Sequence, residues 1–198
     1  EILEITNSHY INSRDINGDT PLIIASRNIR DNAAIVASLI LRGADPNIIP
    51  LNGWGDDSGV ITSLSPLHQV CYYNLTELLH LLLQNGANPN VRDNDGDTPL
   101  HLCMMGLCEG TTNGNMVYML VSHNANVNDL NDDFESPLKY GVLYNCTEGV
   151  RVLLQSGATP NAIDRDGNTI LTTAFREGGI MNNMNIIDIN NLYLTKII

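Results

Sequence analysis

Asp93-Asn94-Asp95-Gly96-Asp97-Thr98-Pro99-Leu100-His101-Leu102 decides the architecture of this chain, because the phrase recurs. It returns as Asp15-Ile16-Asn17-Gly18-Asp19-Thr20-Pro21-Leu22-Ile23-Ile24, as Asn131-Asp132-Asp133-Phe134-Glu135-Ser136-Pro137-Leu138, and as Asp164-Arg165-Asp166-Gly167-Asn168-Thr169-Ile170-Leu171. One copy keeps only its end, Ser65-Pro66-Leu67-His68. Thr or Ser before Pro reads as a helix start: the hydroxyl accepts from backbone N–H groups that lack partners, and Pro at the first helical position forfeits no hydrogen bond. Leu22, Leu67, Leu100, Leu138 and Leu171 are then expected to face a core. Gly between acidic residues, as in Asp95-Gly96-Asp97, reads as a turn.

A second phrase closes each unit. Leu82-Leu83-Gln84-Asn85-Gly86-Ala87-Asn88-Pro89-Asn90 has relatives at Ile40-Leu41-Arg42-Gly43-Ala44-Asp45-Pro46-Asn47 and at Leu153-Leu154-Gln155-Ser156-Gly157-Ala158-Thr159-Pro160-Asn161. Val121-Ser122-His123-Asn124-Ala125-Asn126-Val127-Asn128 is a fourth, with Asn124 in the Gly position. Gly ends a helix in the left-handed conformation without strain, and Asn is the side-chain-bearing residue that tolerates it best. The second helix of each unit is expected to be the inner, all-round apolar one, with Leu78, Leu79, Leu81, Leu82 and Leu83 as the clearest case, then Ile35, Val36, Leu39 and Ile40.

Together the two phrases resemble the ankyrin repeat, a unit of ~33 residues with a Thr-Pro-Leu-His signature. Asn131 to Asp164 is 33 positions, as that pattern requires. The resemblance covers essentially the whole chain. It implies an all-α ankyrin-repeat solenoid of helix–loop–helix repeats joined by β-hairpin fingers, in one domain. Residues 1–14 read as the tail of a preceding repeat, 15–48, 65–91, 93–128, 131–163 and 164–198 as repeats, and 49–64 as an inserted loop. Asp15 to Asp93 is 78 positions, about twelve more than two units take. Two of the extra residues fall in the first repeat and the rest in Ile48–Leu64, which holds the only Trp, Trp54. Repeat three is lengthened around Cys108-Glu109-Gly110-Thr111-Thr112-Asn113-Gly114.

Composition narrows the function. The chain has 198 residues, 43% hydrophobic, which suffices for a sizeable core, and only 5% aromatic. A net charge of −12 repels phosphate backbones and excludes nucleic acid as the expected partner. It favours a protein partner with a basic or mixed surface. No apolar run reaches the length that spans a bilayer. Glu1-Ile2-Leu3-Glu4 lacks the start of a signal peptide, and the missing initiator Met points to a fragment. Cys71, Cys103, Cys108 and Cys146 show no small-domain disulfide spacing, so free thiols in the cytoplasm or nucleus are expected. Asn74-Leu75-Thr76 and Asn145-Cys146-Thr147 match the glycosylation sequon, which matters only in a secreted protein.

Chemistry is expected nowhere. His68 and His101 stand in the signature, where the family's His bonds locally and to neighbouring backbone. His101, Cys103 and Cys108 do not make the paired four-ligand spacing of zinc. Asp95 with Asp97, and Asp164 with Asp166, lack the twelve-residue calcium-loop pattern. No phosphate loop or nucleophile elbow is present, so no catalytic residue, metal or cofactor is expected.

Binding is the remaining role. In the resembled family the finger tips and the end of the first helix form the concave face. The matching helix positions are Arg27, Asn28, Tyr72, Tyr73, Met105, Leu143, Tyr144, Arg176 and Glu177. The matching finger positions include Asn17, Asp19, Asp95, Asp97, Asp133, Glu135, Asp166 and Asn168. The expected partner-binding set is Trp54, Tyr72, Tyr73, Met105, Tyr144, Arg176, Asp95, Asp97 and Asp166. Trp54 is either an anchor or folded back on the stack. The Ile- and Asn-rich sequence with irregular insertions resembles ankyrin proteins of poxviruses, many of which bind a host defence or signalling protein. The alternative is a cellular ankyrin scaffold or an inhibitor masking a basic segment.

Overall fold

The structure is a computed structural model that describes residues 10–49, 64–106, 112–170 and 172. Trp54, Cys108, Leu171, Arg176 and Glu177 lie outside the described residues. The helices come in pairs, a short one then a longer one: α1 (Pro21–Ser26) with α2 (Ile29–Leu41), α3 (Pro66–Tyr72) with α4 (Thr76–Gln84), α5 (Pro99–Met105) with α6 (Thr112–Ser122), and α7 (Pro137–Leu143) with α8 (Thr147–Gln155).

Each short helix starts as the sequence predicts. The Thr20, Ser65 and Ser136 hydroxyls accept from the N–H groups of Ile23, His68 and Lys139, all at 3.3 Å, and Pro opens each of these helices. Each long helix ends in a reversal at a left-handed residue, Gly43, Gly86, Asn124 or Gly157. The Ala that follows donates back five residues, for example Ala87 N–H to Leu82 O at 3.0 Å. Asn124 at φ 68° therefore does the work of glycine at its position.

The assignment of the inner helix is reversed. The short first helices hold the centre: among the described residues α3 and α5 each lie between the first helices of both neighbours and against their own partner helix. Every residue from Pro66 to Cys71 and from Pro99 to Met104 is buried. The second helices are outer and amphipathic. Leu78, Leu79, Leu82 and Leu83 are buried while Glu77 and His80 face solvent, and Ile35, expected in the core, is 53% exposed. The two extra residues of repeat one fall in α2, the longest helix of the described residues.

The fingers form without named strands among the described residues; a single antiparallel bridge joins Ile163 and Thr169. Each finger is instead closed by its first residue. The Asp93 carboxylate accepts from the N–H groups of Asp95 (3.0 Å) and Asp97 (2.8 Å), and Asp93 N–H donates to Asp97 O at 3.0 Å. Asp15, Asn131 and Asp164 repeat the arrangement. With the turn satisfied by a side chain, a five-residue loop has no need of a strand ladder.

A ladder of asparagines joins the units on one edge. Asn47 donates to Gly86 O (2.9 Å) and accepts from Asn88 N–H (2.7 Å). Asn12, Asn90 and Asn128 make the same pair of bonds to the loops at Gly43, Asn124 and Gly157. Cys71 and Cys103 are buried, outside any disulfide, and hydrogen-bonded to each other. Cys146 is disulfide-bonded, which corrects the expectation of four free thiols. The sequons at Asn74 and Asn145 are the left-handed turn residues between first and second helices, at φ 56° and 58°, with Oδ1 buried.

Leu82, fully buried in α4, tests the packing. Leu82→Ala is expected to lower unfolding free energy by about 2–5 kcal/mol through the cavity it leaves. Urea midpoints of the variant and parent read this out directly, and coincident midpoints would contradict the central place of the residue.

Candidate functional site

The ends of the first helices and the fingers share one face, and a polar framework beneath that face joins each unit to the next. His68 and His101 are its simplest members. Nδ1 of each imidazole accepts from the N-cap N–H, Ser65 at 3.3 Å and Thr98 at 3.0 Å. Nε2 then carries the proton and donates into the following finger, to Asp97 O and Glu135 O, both at 3.0 Å. Burial pushes both histidines down to about 4, so they are neutral at neutral pH. Lys139 stands in the same signature position of the next unit. Its ammonium reaches Glu135 Oε1 and Asp164 Oδ2, each at 2.6 Å. Burial works against that charge, but the two carboxylates outweigh it and raise the lysine above its usual value. In return, the Lys139 bond holds Asp164 at about 2.

Asp97 belongs to the framework and not to the surface. It is 7% exposed. Asn131 Nδ2 donates to its Oδ1 at 2.9 Å, and the Tyr140 hydroxyl donates to its Oδ2 at 3.1 Å. Burial raises the carboxyl to about 6 despite these donors, with Asp93 and Asp95 adding repulsion. This corrects the reading of Asp97 as a displayed finger-tip acid. Tyr140, Asn131 and Lys139 were not singled out from sequence, although a signal existed: Asn131 replaces the Asp that opens three other fingers, and Lys139 replaces the signature His.

Above the framework lies a strip of partly exposed side chains. Tyr72 and Tyr73 meet edge to face with centroids 5.0 Å apart, and the Arg30 guanidinium sits 5.6 Å from the Tyr73 ring. Gly106 passes so close to this turn that a Cβ there would lie 2.2 Å from Tyr72 O. Met105 is half-buried, and Tyr144 is 46% exposed and leans on Tyr140, with centroids 6.0 Å apart. Arg27 forms an ion pair with the buried Asp19 at the cationic end of the strip. The structure thus brings Tyr72 and Tyr73 together and aligns Met105 and Tyr144 on equivalent helix ends.

The finger tips are less uniformly acidic than the sequence suggests. Arg92 pairs with Asp132 at 3.3 Å and Arg165 with Asp133 at 3.0 Å. Asp95 and Asp166 are exposed and carry no ion pair among the described residues. A separate groove of about 560 Å3 runs between α6 and α8, past Tyr118, Glu148 and Arg151. Among the described residues no group of three His, Cys, Asp or Glu side chains could hold a metal ion, and no helix is long and apolar enough to cross a membrane.

Comparison with known proteins agrees with this geometry. A profile described as ankyrin repeats (3 copies) matches residues 67–164, and a single ankyrin repeat matches 17–49. An ankyrin repeat protein of fowlpox virus is 32% identical over 154 residues, 76% of this chain and 40% of that protein. Rabankyrin-5 of mouse is 30% identical over 48% of this chain and 11% of its own length. An ankyrin repeat protein of Acanthamoeba polyphaga mimivirus is 29% identical over 50% of this chain and 20% of its own. The chain therefore spans less than half of each of these relatives.

The buried histidines and Asp97 titrate with opposite effects on stability. Each histidine is protonated more readily when unfolded, so folding weakens as pH falls from 6.5 towards 4. Asp97 takes its proton more readily when folded, so folding strengthens as pH falls from about 6 towards 3.8. Burial raises the Asp93 carboxyl as well, so the two histidines outweigh Asp97 and Asp93 by at most about 1 kcal/mol per pH unit between pH 6 and 4. Asp97→Asn is expected to steepen that loss towards twice the slope, read from urea midpoints at several pH values.

Proposed function

Because the chain belongs to the ankyrin-repeat family, whose repeats are protein-interaction modules, we propose that it binds a protein across the strip of first-helix ends and the finger tips beside it. The observation that carries this reading is the half-buried Tyr72–Tyr73 pair, with Arg30 against one ring. Tyrosines offer large contact area with few rotors to freeze. Met105 and Tyr144 extend the apolar centre and Asp95 and Asp166 supply an acidic rim; the proposed partner-binding residues also include Trp54 and Arg176, outside the described residues. The partner presents a basic or mixed surface, matching a net charge of −12. The chain acts as a binding module without catalysis of its own.

The role we assign is that of a viral protein engaging a host defence or signalling factor in the cytoplasm or nucleus. The fowlpox and mimivirus relatives support it. A second reading is a cellular scaffold or an inhibitor masking a basic segment, and the match to a cellular protein, Rabankyrin-5 of mouse, supports a cellular setting.

Recovery of a partner from cell lysate, identified by mass spectrometry, gives the binding assay. Tyr72→Ala with Tyr73→Ala is expected to weaken it by about 2 kcal/mol or more, roughly thirtyfold. Removing Asp95 and Asp166 is expected to slow association and flatten its salt dependence instead, because rim charges steer more than they hold. Unchanged affinity in a double tyrosine variant that keeps its circular dichroism would move the contact off this strip.

A further inference from the structure

One finger departs from its fellows at its tip. The turn residue is Gly18, Gly96 or Gly167 in three fingers, at φ 83°, 79° and 77°. In the finger that opens at Asn131 the same place is taken by Phe134, at φ 60°. The finger has not relaxed around it. Phe134 N–H donates to Asn131 O at 3.0 Å, as Gly96 N–H does to Asp93 O at 3.2 Å. The Asn131 side chain closes the loop on Asp133 and Glu135 as Asp93 does on its own finger. A bulky residue is thus held in a left-handed conformation that disfavours side chains generally and aromatic ones in particular.

The ring gains little burial in exchange. Phe134 is 51% exposed. Among the described residues its ring meets the Arg165 guanidinium, 5.9 Å from the ring centre, a weak attraction at an exposed site. Strain without compensating packing marks a position where display outweighs stability. The surroundings specify what the display would suit. Asp132 N–H donates to Asp95 O at 3.0 Å, and Arg165 N–H donates to Asp133 O at 3.1 Å, so three successive tips are tied into one row. Phe134 sits in the middle of that row. The exposed carboxylates without an ion pair, Asp95 and Asp166, stand on the fingers to either side. Asp133 is occupied by Arg165 and Asp132 by Arg92.

We propose that Phe134 is the apolar anchor of a finger-tip contact, taking a partner segment in which an apolar side chain stands beside lysine or arginine. The apolar side chain covers the Phe134 ring, and the cation reaches Asp95 or Asp166. Charge complementarity selects this occupant, since the chain carries −12 overall and Asp95 and Asp166, exposed and without an ion pair among the described residues, stand on the adjoining fingers. The inference rests on the reading of the chain as a protein-binding module, but places an anchor some distance in sequence from the tyrosine pair and on a different element.

The probe is a phage-displayed library of random short peptides, selected on the intact chain. Enriched peptides are expected to pair an apolar residue with Lys or Arg. Phe134→Gly and Phe134→Asn, both suited to a left-handed turn, are expected to weaken their binding about tenfold or more. The same variants are expected to hold the thermal midpoint or raise it by about 2 °C, because strain is relieved. Binding unchanged in both variants would overturn the proposal, as would a midpoint lowered by several degrees in both, which would make the ring structural. Peptides lost on Tyr72→Ala with Tyr73→Ala but kept on the Phe134 variants would overturn it while supporting the tyrosine strip. A library yielding no enriched peptide would count against the finger-tip row, and the lysate partner would still decide the broader reading.

Discussion

A polar side chain of one repeat closing the loop of the next is the interaction on which this structure depends. His68, His101 and Lys139 do it from the first helix, bonding to Asp97, Glu135 and Asp164 of the following fingers. Asn12, Asn47, Asn90 and Asn128 do it from the opposite edge, each offering a donor and an acceptor to the loop after the next helix pair. In a single unit the buried His68, His101 and Lys139 side chains would lack these partners, and an unmet buried polar group costs more than a made hydrogen bond returns. Stacking is therefore required by hydrogen bonding as much as by the apolar faces of the helices.

Within that scheme the chemistry of a tie can change while its geometry stays. Lys139 replaces a neutral imidazole with an ammonium, and the next finger answers with the Asp164 carboxylate instead of a backbone carbonyl. Asn131 replaces an aspartate and so can donate to Asp97, which Tyr140 also serves. Asn124 and Phe134 both occupy left-handed positions that glycine takes elsewhere, but Asn is tolerated there and Phe is not. The first three exchanges keep the bonds or backbone form of their position, whereas the fourth puts an aromatic residue in a conformation that disfavours it, at an exposed tip.

The fold was largely legible because its signals are local. A hydroxyl before Pro, and Gly three residues after the last buried aliphatic side chain, specify where helices begin and end without reference to neighbours. What was not legible depends on neighbours. Periodicity marks Leu78, Leu79, Leu82 and Leu83 as apolar but does not say that α4 lies outside α3. Spacing puts Asp95 and Asp97 in one finger but cannot tell that Asn131 and Tyr140, more than thirty residues on, turn Asp97 inward. The pairing of Asp132 and Asp133 with arginines of adjoining fingers was hidden for the same reason. The tyrosine pair was found because adjacent residues at a helix end need no tertiary information to be placed together.

The ladder of asparagines has a mechanical consequence. Each rung joins residues about one repeat apart, such as Asn128 to Gly157 and Asn47 to Asn88, and none reaches past the adjoining unit. Load applied between the two ends of the stack therefore crosses every unit boundary in series, and at each boundary a rung shares it with the first-helix ties and the apolar faces. Because each unit touches only its neighbours, one boundary that opens leaves the ties at the others in place, and the stack lengthens at a single joint while the rest of its face stays formed.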